Sequence, residues 1–127
     1  MTDESNKNIP PLIDTRVLDE LQLIMEDEFT DVLQVFLDES VSLMLEIHTA
    51  FDEQSDNLIR VVHTLKSCSK NVGAMRLGGV AEEMEAYLVN NDIATAKTNL
   101  DELQDVFTES HVLIKKHMQD HMRDVAC

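Results

Sequence analysis

Apolar residues recur at spacings of three and four along most of the chain, which is the period of helices with one buried face. Asp14 is placed to cap a first short helix carrying Val17, Leu18, Leu21, Ile24 and Met25. The acidic run Glu26-Asp27-Glu28 predicts a turn. A longer second helix follows, with Phe29, Val32, Leu33, Phe36, Leu37, Val41, Met44, Leu45, His48 and Phe51 on its stripe. Ser55 is the expected cap of a third helix over residues 56–72, which carries Leu58, Val61, Val62, Leu65, Cys68 or Ser69, and Val72. Gly73 is expected to end it. A fourth helix is predicted over 75–90, with Leu77, Val80, Ala81, Met84, Tyr87 and Leu88 facing inward. Gly78 and Gly79 inside it weaken the helix unless another backbone comes close there. Asp92 caps a last helix predicted over 93–121, from Ala96 through Leu103 and Ile114 to His117 and His121. The expectation is an all-α fold: an up-down antiparallel four-helix bundle with a short N-terminal helix. Residues 1–12 read as a flexible lead-in, 13–122 as the bundle domain, and 123–127 as a C-terminal tail.

Composition supports this picture. Both prolines lie at positions 10 and 11, so the remaining 116 residues run without one. Aromatics are scarce, which leaves an aliphatic core filled out by methionine. Met25, Met44, Met75 and Met84 lie at or near core positions, so packing explains them better than a methionine-lined peptide groove. Two cysteines, Cys68 and Cys127, make no disulfide framework, and Cys68 reads as a buried thiol. No secretory signal and no bilayer-length apolar run is visible, so a cytoplasmic protein is expected.

Charge adds the feature that patterning does not. The chain carries a formal charge of −15, which disfavours nucleic acid and anionic membrane surfaces as partners. Yet no Asp or Glu occurs from Asn57 to Ala81, a window holding Arg60, Lys66, Lys70 and Arg76. The other 102 residues therefore sum to −19. At the centre of this cationic stretch stands His63. On a helical wheel Ile59, His63, Lys66, Ser67 and Lys70 share a stripe displaced from the core stripe. A neutral imidazole is a ready nucleophile at physiological pH. If it took a phosphoryl group, Lys66 could stabilise the charge it brings. The residues alone leave this role and a purely structural one both open.

The run His63-Thr64-Leu65-Lys66-Ser67-Cys68-Ser69-Lys70-Asn71-Val72-Gly73-Ala74 resembles the signature of histidine-containing phosphotransfer (HPt) domains. The likeness extends to Ile13-Asp14, to Phe29 and Phe36, and to Asn91-Asp92. Ser67 stands where that family usually has glycine. The resemblance implies a domain that relays phosphoryl groups between receiver-domain aspartates, of a hybrid sensor kinase and of response regulators, in multistep two-component signalling; with Met1 at its start and no kinase or receiver segment, the chain is expected to be free-standing. It implies His63 as phosphoacceptor, Lys66 as the phosphoryl-stabilising cation, and Ser67 and Gly73 as small residues beside the site. Ile59, Arg60, Lys70 and Arg76 are then candidates for the docking face. No cofactor or metal of its own is implied, Mg²⁺ belonging to the receiver, and the chain holds no Gly-rich phosphate loop for ATP, so no autokinase activity is expected. A monomer is the expected state. The rival readings are a bundle adaptor without chemistry, and a metal-binding bundle using His117 and His121 four residues apart.

Overall fold

The structure, a computed structural model, describes residues 9–126, with side chains as far as Arg123. The first eight residues, which make up most of the expected lead-in, lie outside the described residues. The described residues form α1 (Thr15–Met25), a single 3₁₀ turn (Glu26–Glu28), α2 (Phe29–Glu53), α3 (Leu58–Asn71), α4 (Met75–Val89), α5 (Ile93–Thr98) and α6 (Leu100–Ala126). Helices α2, α3, α4 and α6 each pack on the next and close a ring, while α1 covers one side of α2. The expected four-helix bundle with a short N-terminal helix is what the chain forms.

Local chemistry sets the ends of the elements. Asp14 caps α1, its carboxylate accepting from the Arg16 backbone N–H at 3.0 Å, and Asp92 caps α5 by accepting from Thr95 N–H at 3.2 Å. Ser55 acts one step earlier than expected. Its hydroxyl accepts from Asn57 N–H at 3.1 Å, closing the α2–α3 turn, and α3 starts only at Leu58. The predicted last helix is divided at Asn99, where the backbone tightens and Asn99 N–H reaches Ala96 O at 3.1 Å. Thr98 and Asn99 favour local hydrogen bonds over a continuous helix, which accounts for the break. At the other end α6 continues to Ala126, so the boundary drawn at residue 122 has no counterpart in the backbone.

The core holds Leu33, Ile47, Val62, Leu65, Leu77, Met84, Leu103 and Ile114, all sealed from solvent. Three stripe assignments are corrected. Ile24 is 74% exposed, and Val41 and Leu45 are exposed too. On α2 the buried places fall instead to Ser40, Leu43, Ile47 and Ala50. That row runs at spacings of three, four and three, and Val41 and Leu45 sit beside it, turned to solvent. Pro10, assigned to a flexible lead-in, lies against α4. Arg76 donates to its carbonyl at 3.1 Å, and a Cβ on Gly79 would come within 3.3 Å of its ring.

Candidate functional site

The site lies on the α3–α4 hairpin, whose two helices form the most extensive helix pair of the bundle. Gly78 makes the close approach possible. A Cβ there would stand 2.6 Å from Lys70 Cγ and 3.4 Å from Lys66 O. With no side chain in the way, α4 settles against the lysine stems of α3, and its own polar face meets theirs.

Three contacts then form a ladder up the hairpin. Lys70 Nζ donates to Glu82 Oε1 at 2.8 Å. Lys66 Nζ donates to Glu85 Oε1 at 2.7 Å. His63 Nδ1 meets Glu85 Oε2, also at 2.7 Å. Glu85 therefore spans His63 and Lys66 with its two oxygens, and its side chain is only 16% exposed. An ionised carboxylate can only accept, so the proton of a neutral His63 sits on Nδ1 and Nε2 keeps its lone pair. The His63 side chain is 55% exposed. The outcome is an accessible ring, held by one edge, with its nucleophilic nitrogen on the other.

Electrostatics follow from the same contacts. The hydrogen bond from Lys66 holds the Glu85 carboxyl below its ordinary range, with His63 adding to the effect and partial burial opposing it. Lys70 lowers Glu82 in the same way. Burial, assisted by the charge of Glu39, pushes the Cys68 thiol up, so it is a protonated thiol at neutral pH.

The ladder corrects the sequence picture twice. The cationic stretch is not an open positive patch, because α4 supplies a carboxylate to each lysine. Glu82 and Glu85, which lie just beyond the acid-free stretch, are structural partners of the site. The sequence did carry a signal. The turn at Gly73 sends α4 back along α3, so a carboxylate on the facing side of α4 is within reach of the lysine stripe.

The remaining candidates separate. Ser67 and Ile59 are exposed on the His63 face. Arg60 lies there too, its Nε donating to Asn57 Oδ1 at 3.3 Å. Gly73 does not border the histidine; it is ten residues further on, about 15 Å along the helix axis. Its φ of +86° closes the α3–α4 turn, and a Cβ would strike Asp14 O at 2.8 Å, so backbone geometry explains it. Arg76, engaged with Pro10, belongs to the far end of α4 as well. His121 stands edge-on to Phe29, with ring centroids 5.0 Å apart. Among the described residues no group of three or more His, Cys, Asp or Glu is arranged to hold a metal ion.

The other histidines make a useful contrast. His48 Nε2 donates to Gln104 Oε1 at 3.1 Å, and the orientation of Gln104 is set by its own bond to Thr108. His111 Nε2 donates to Leu37 O at 3.3 Å. Both rings are half-buried, and both spend Nε2 on a structural bond.

Residues 31–112 match the Hpt domain family. The fold is similar to that of histidine-containing phosphotransfer protein B (HptB) from Pseudomonas aeruginosa PAO1, with TM-score 0.82 and 29% identity over 87% of this chain and 96% of that one. It is also similar in fold to a putative histidine-containing phosphotransfer protein from rice, with TM-score 0.74 and 19% identity over 87% of this chain and 85% of that one. No curated protein matches the chain. A family match over most of the bundle, joined to a fold shared with phosphotransfer proteins, identifies the chain as a member of the Hpt domain family, a histidine phosphotransfer module of two-component phosphorelays.

Proposed function

We propose that His63 is the phosphoacceptor, and that the chain relays phosphoryl groups between receiver-domain aspartates. One observation carries this reading. Of the three histidines within the matched residues, His63 alone keeps Nε2 out of a structural bond while Nδ1 is fixed on a carboxylate. In the forward step Nε2 attacks phosphorus, and the aspartyl oxygen leaves with the electrons of its bond. Such transfer rests mainly on positioning and charge stabilisation. Glu85 supplies the positioning, and Lys66 supplies the cation beside the incoming group. Exposed Ser67 leaves room for the partner's active site.

The partner covers Ile59 and Arg60 as it reaches His63. Val89 and Ile93, both exposed, extend that apolar edge at the α2–α3 end of the hairpin. Lys70 contributes only through its pair with Glu82, and Arg76 is too far along α4 to dock. Mg²⁺ belongs in the receiver's aspartate pocket, and this chain contributes no ligand to it. We place the meeting in the cytoplasm; no helix among the described residues is long and apolar enough to cross a membrane.

The test is a transfer profile against phosphorylated receiver domains. His63→Gln is expected to take up no phosphate while the wild-type chain is labelled by its cognate receiver. Equal labelling of both proteins, or no transfer from any receiver, refutes the reading.

A further inference from the structure

His63 and Lys66 share a single carboxylate, and this has a consequence for the phosphorylated state. We propose that Glu85 keeps phospho-His63 labile and ready to donate, by holding a proton on Nδ1 and by competing with the phosphoryl group for Lys66. The proposal rests on His63 being the phosphoacceptor and concerns how long the group stays there.

The first arm concerns the ring. When the Nε2 lone pair forms the bond to phosphorus, the bond to the aspartyl oxygen breaks and its electrons leave with the carboxylate. The ring is then a cation whose one N–H is on Nδ1. If that proton stays, the reverse cleavage returns the P–N electrons to a neutral imidazole, a good leaving group. If it is lost, cleavage must expel an imidazolate, which is far poorer. A carboxylate 2.7 Å from Nδ1 favours the protonated form.

The second arm concerns charge. A phosphoryl group brings nearly two negative charges, and the local cations are already engaged. Lys66 is bonded to Glu85 at 2.7 Å and Lys70 to Glu82 at 2.8 Å, and Arg60 turns to Asn57. On α3 the charges near the ring are therefore Lys66 and, beyond it, Arg60 and Lys70. On α4 they are Glu85 and, through Lys70, Glu82. On α2 the acidic group whose field reaches α3, Glu39, acts at Cys68, on the flank away from Glu85. Loading the site sets the new anion against Glu85 for one ammonium. Both arms weaken the P–N bond in the same sense.

Glu85→Gln tests this, since glutamine keeps an acceptor oxygen and the size of the side chain but loses the charge. Wild type and variant are phosphorylated with phosphoramidate, a small N-phosphoryl donor that needs no receiver. The decay of phosphohistidine is followed by ³¹P NMR across pH. Glu85→Gln is expected to lengthen the half-life at neutral pH by about fivefold or more and to lower the midpoint of the pH–decay profile by about one unit. Lys66→Ala is expected to shorten the half-life without lowering that midpoint, which separates the two arms. Unchanged half-life and midpoint in Glu85→Gln overturn the proposal. A structural role alone would alter unfolding and leave the midpoint in place. If His63→Gln is labelled as well as wild type by the same donor, the phosphoacceptor assignment fails instead.

Discussion

The α3–α4 face and the α2–α6 face both carry histidines, and the two are built to opposite ends. On the α2–α6 side, His48 and His111 are half-buried and join helices through Nε2, one to Gln104 and one to the Leu37 carbonyl. Ser40 and Ser110 lie sealed in the core of the same two helices. On the α3–α4 side the anchor has moved to Nδ1 and the ring is open to solvent. The same side chain is mortar in one place and a nucleophile in the other. What differs is which nitrogen is occupied, and by what. Chemistry at a helical histidine therefore depends less on the residue than on a carboxylate placed across the neighbouring helix.

Removing the rings should divide the two faces most sharply. His63→Gln is expected to abolish phosphate uptake with an unchanged thermal transition. His48→Gln and His111→Gln should still be labelled by the same donor. Loss of labelling in all three would erase the distinction.

Spacing between α3 and α4 comes next. Gly78→Val puts side-chain carbons where Lys70 Cγ now lies, and should cost about 2 kcal/mol by denaturant unfolding. It should also slow transfer, because Glu85 is carried away from His63. The same unfolding cost with an unaltered transfer rate would show that hairpin spacing does not tune the site.

Lys66→Ala is expected to slow transfer roughly tenfold, as loss of one charge-stabilising contact does, with little change in stability for a partly exposed pair. His111→Ala should do the reverse. It removes the bond to Leu37 O, costs about 1 kcal/mol of stability and leaves transfer intact. Stopped-flow transfer rates and urea midpoints on both proteins check this crossing of effects.

The smallest effect is in acid. The folded-state pKa of Glu85 lies below its reference value of 4.5. The stability it contributes is thus present above that pH and fades as pH falls through the lower folded value. Glu85→Gln should remove this part of the acid dependence, measured as the change in urea midpoint between neutral pH and pH 3. Identical acid sensitivity in both proteins would mean that the pair contributes nothing to folding.

Much of this was legible in the residues, and the exceptions have physical causes. Asp14, Asp92 and Gly73 mark element ends because capping and left-handed geometry act within a few residues. His63 and Lys66 could be paired because they lie three apart on one helix. Glu85 could not be found by such local rules, since its contacts close over 22 and 19 residues through a turn. It was masked further by Glu82 and Glu83, which look like one solvated run with it. On α2, Val41 and Leu45 fit a three-four spacing yet face solvent, because the buried row Ser40, Leu43, Ile47 and Ala50 runs one position to the side and includes small residues that apolar patterning does not mark. The family signature gives Gly73 a place beside the histidine in sequence order, while the helix between them carries it away in space.

Phosphoryl transfer through this chain depends on Nε2 of His63. Labelling the ring nitrogens with ¹⁵N, phosphorylating the chain with a receiver domain and reading ¹⁵N–³¹P coupling locates the new bond directly. Coupling to Nε2 of His63, with a proton retained on Nδ1, is expected. Coupling to Nδ1, or phosphate on any other residue, would contradict it.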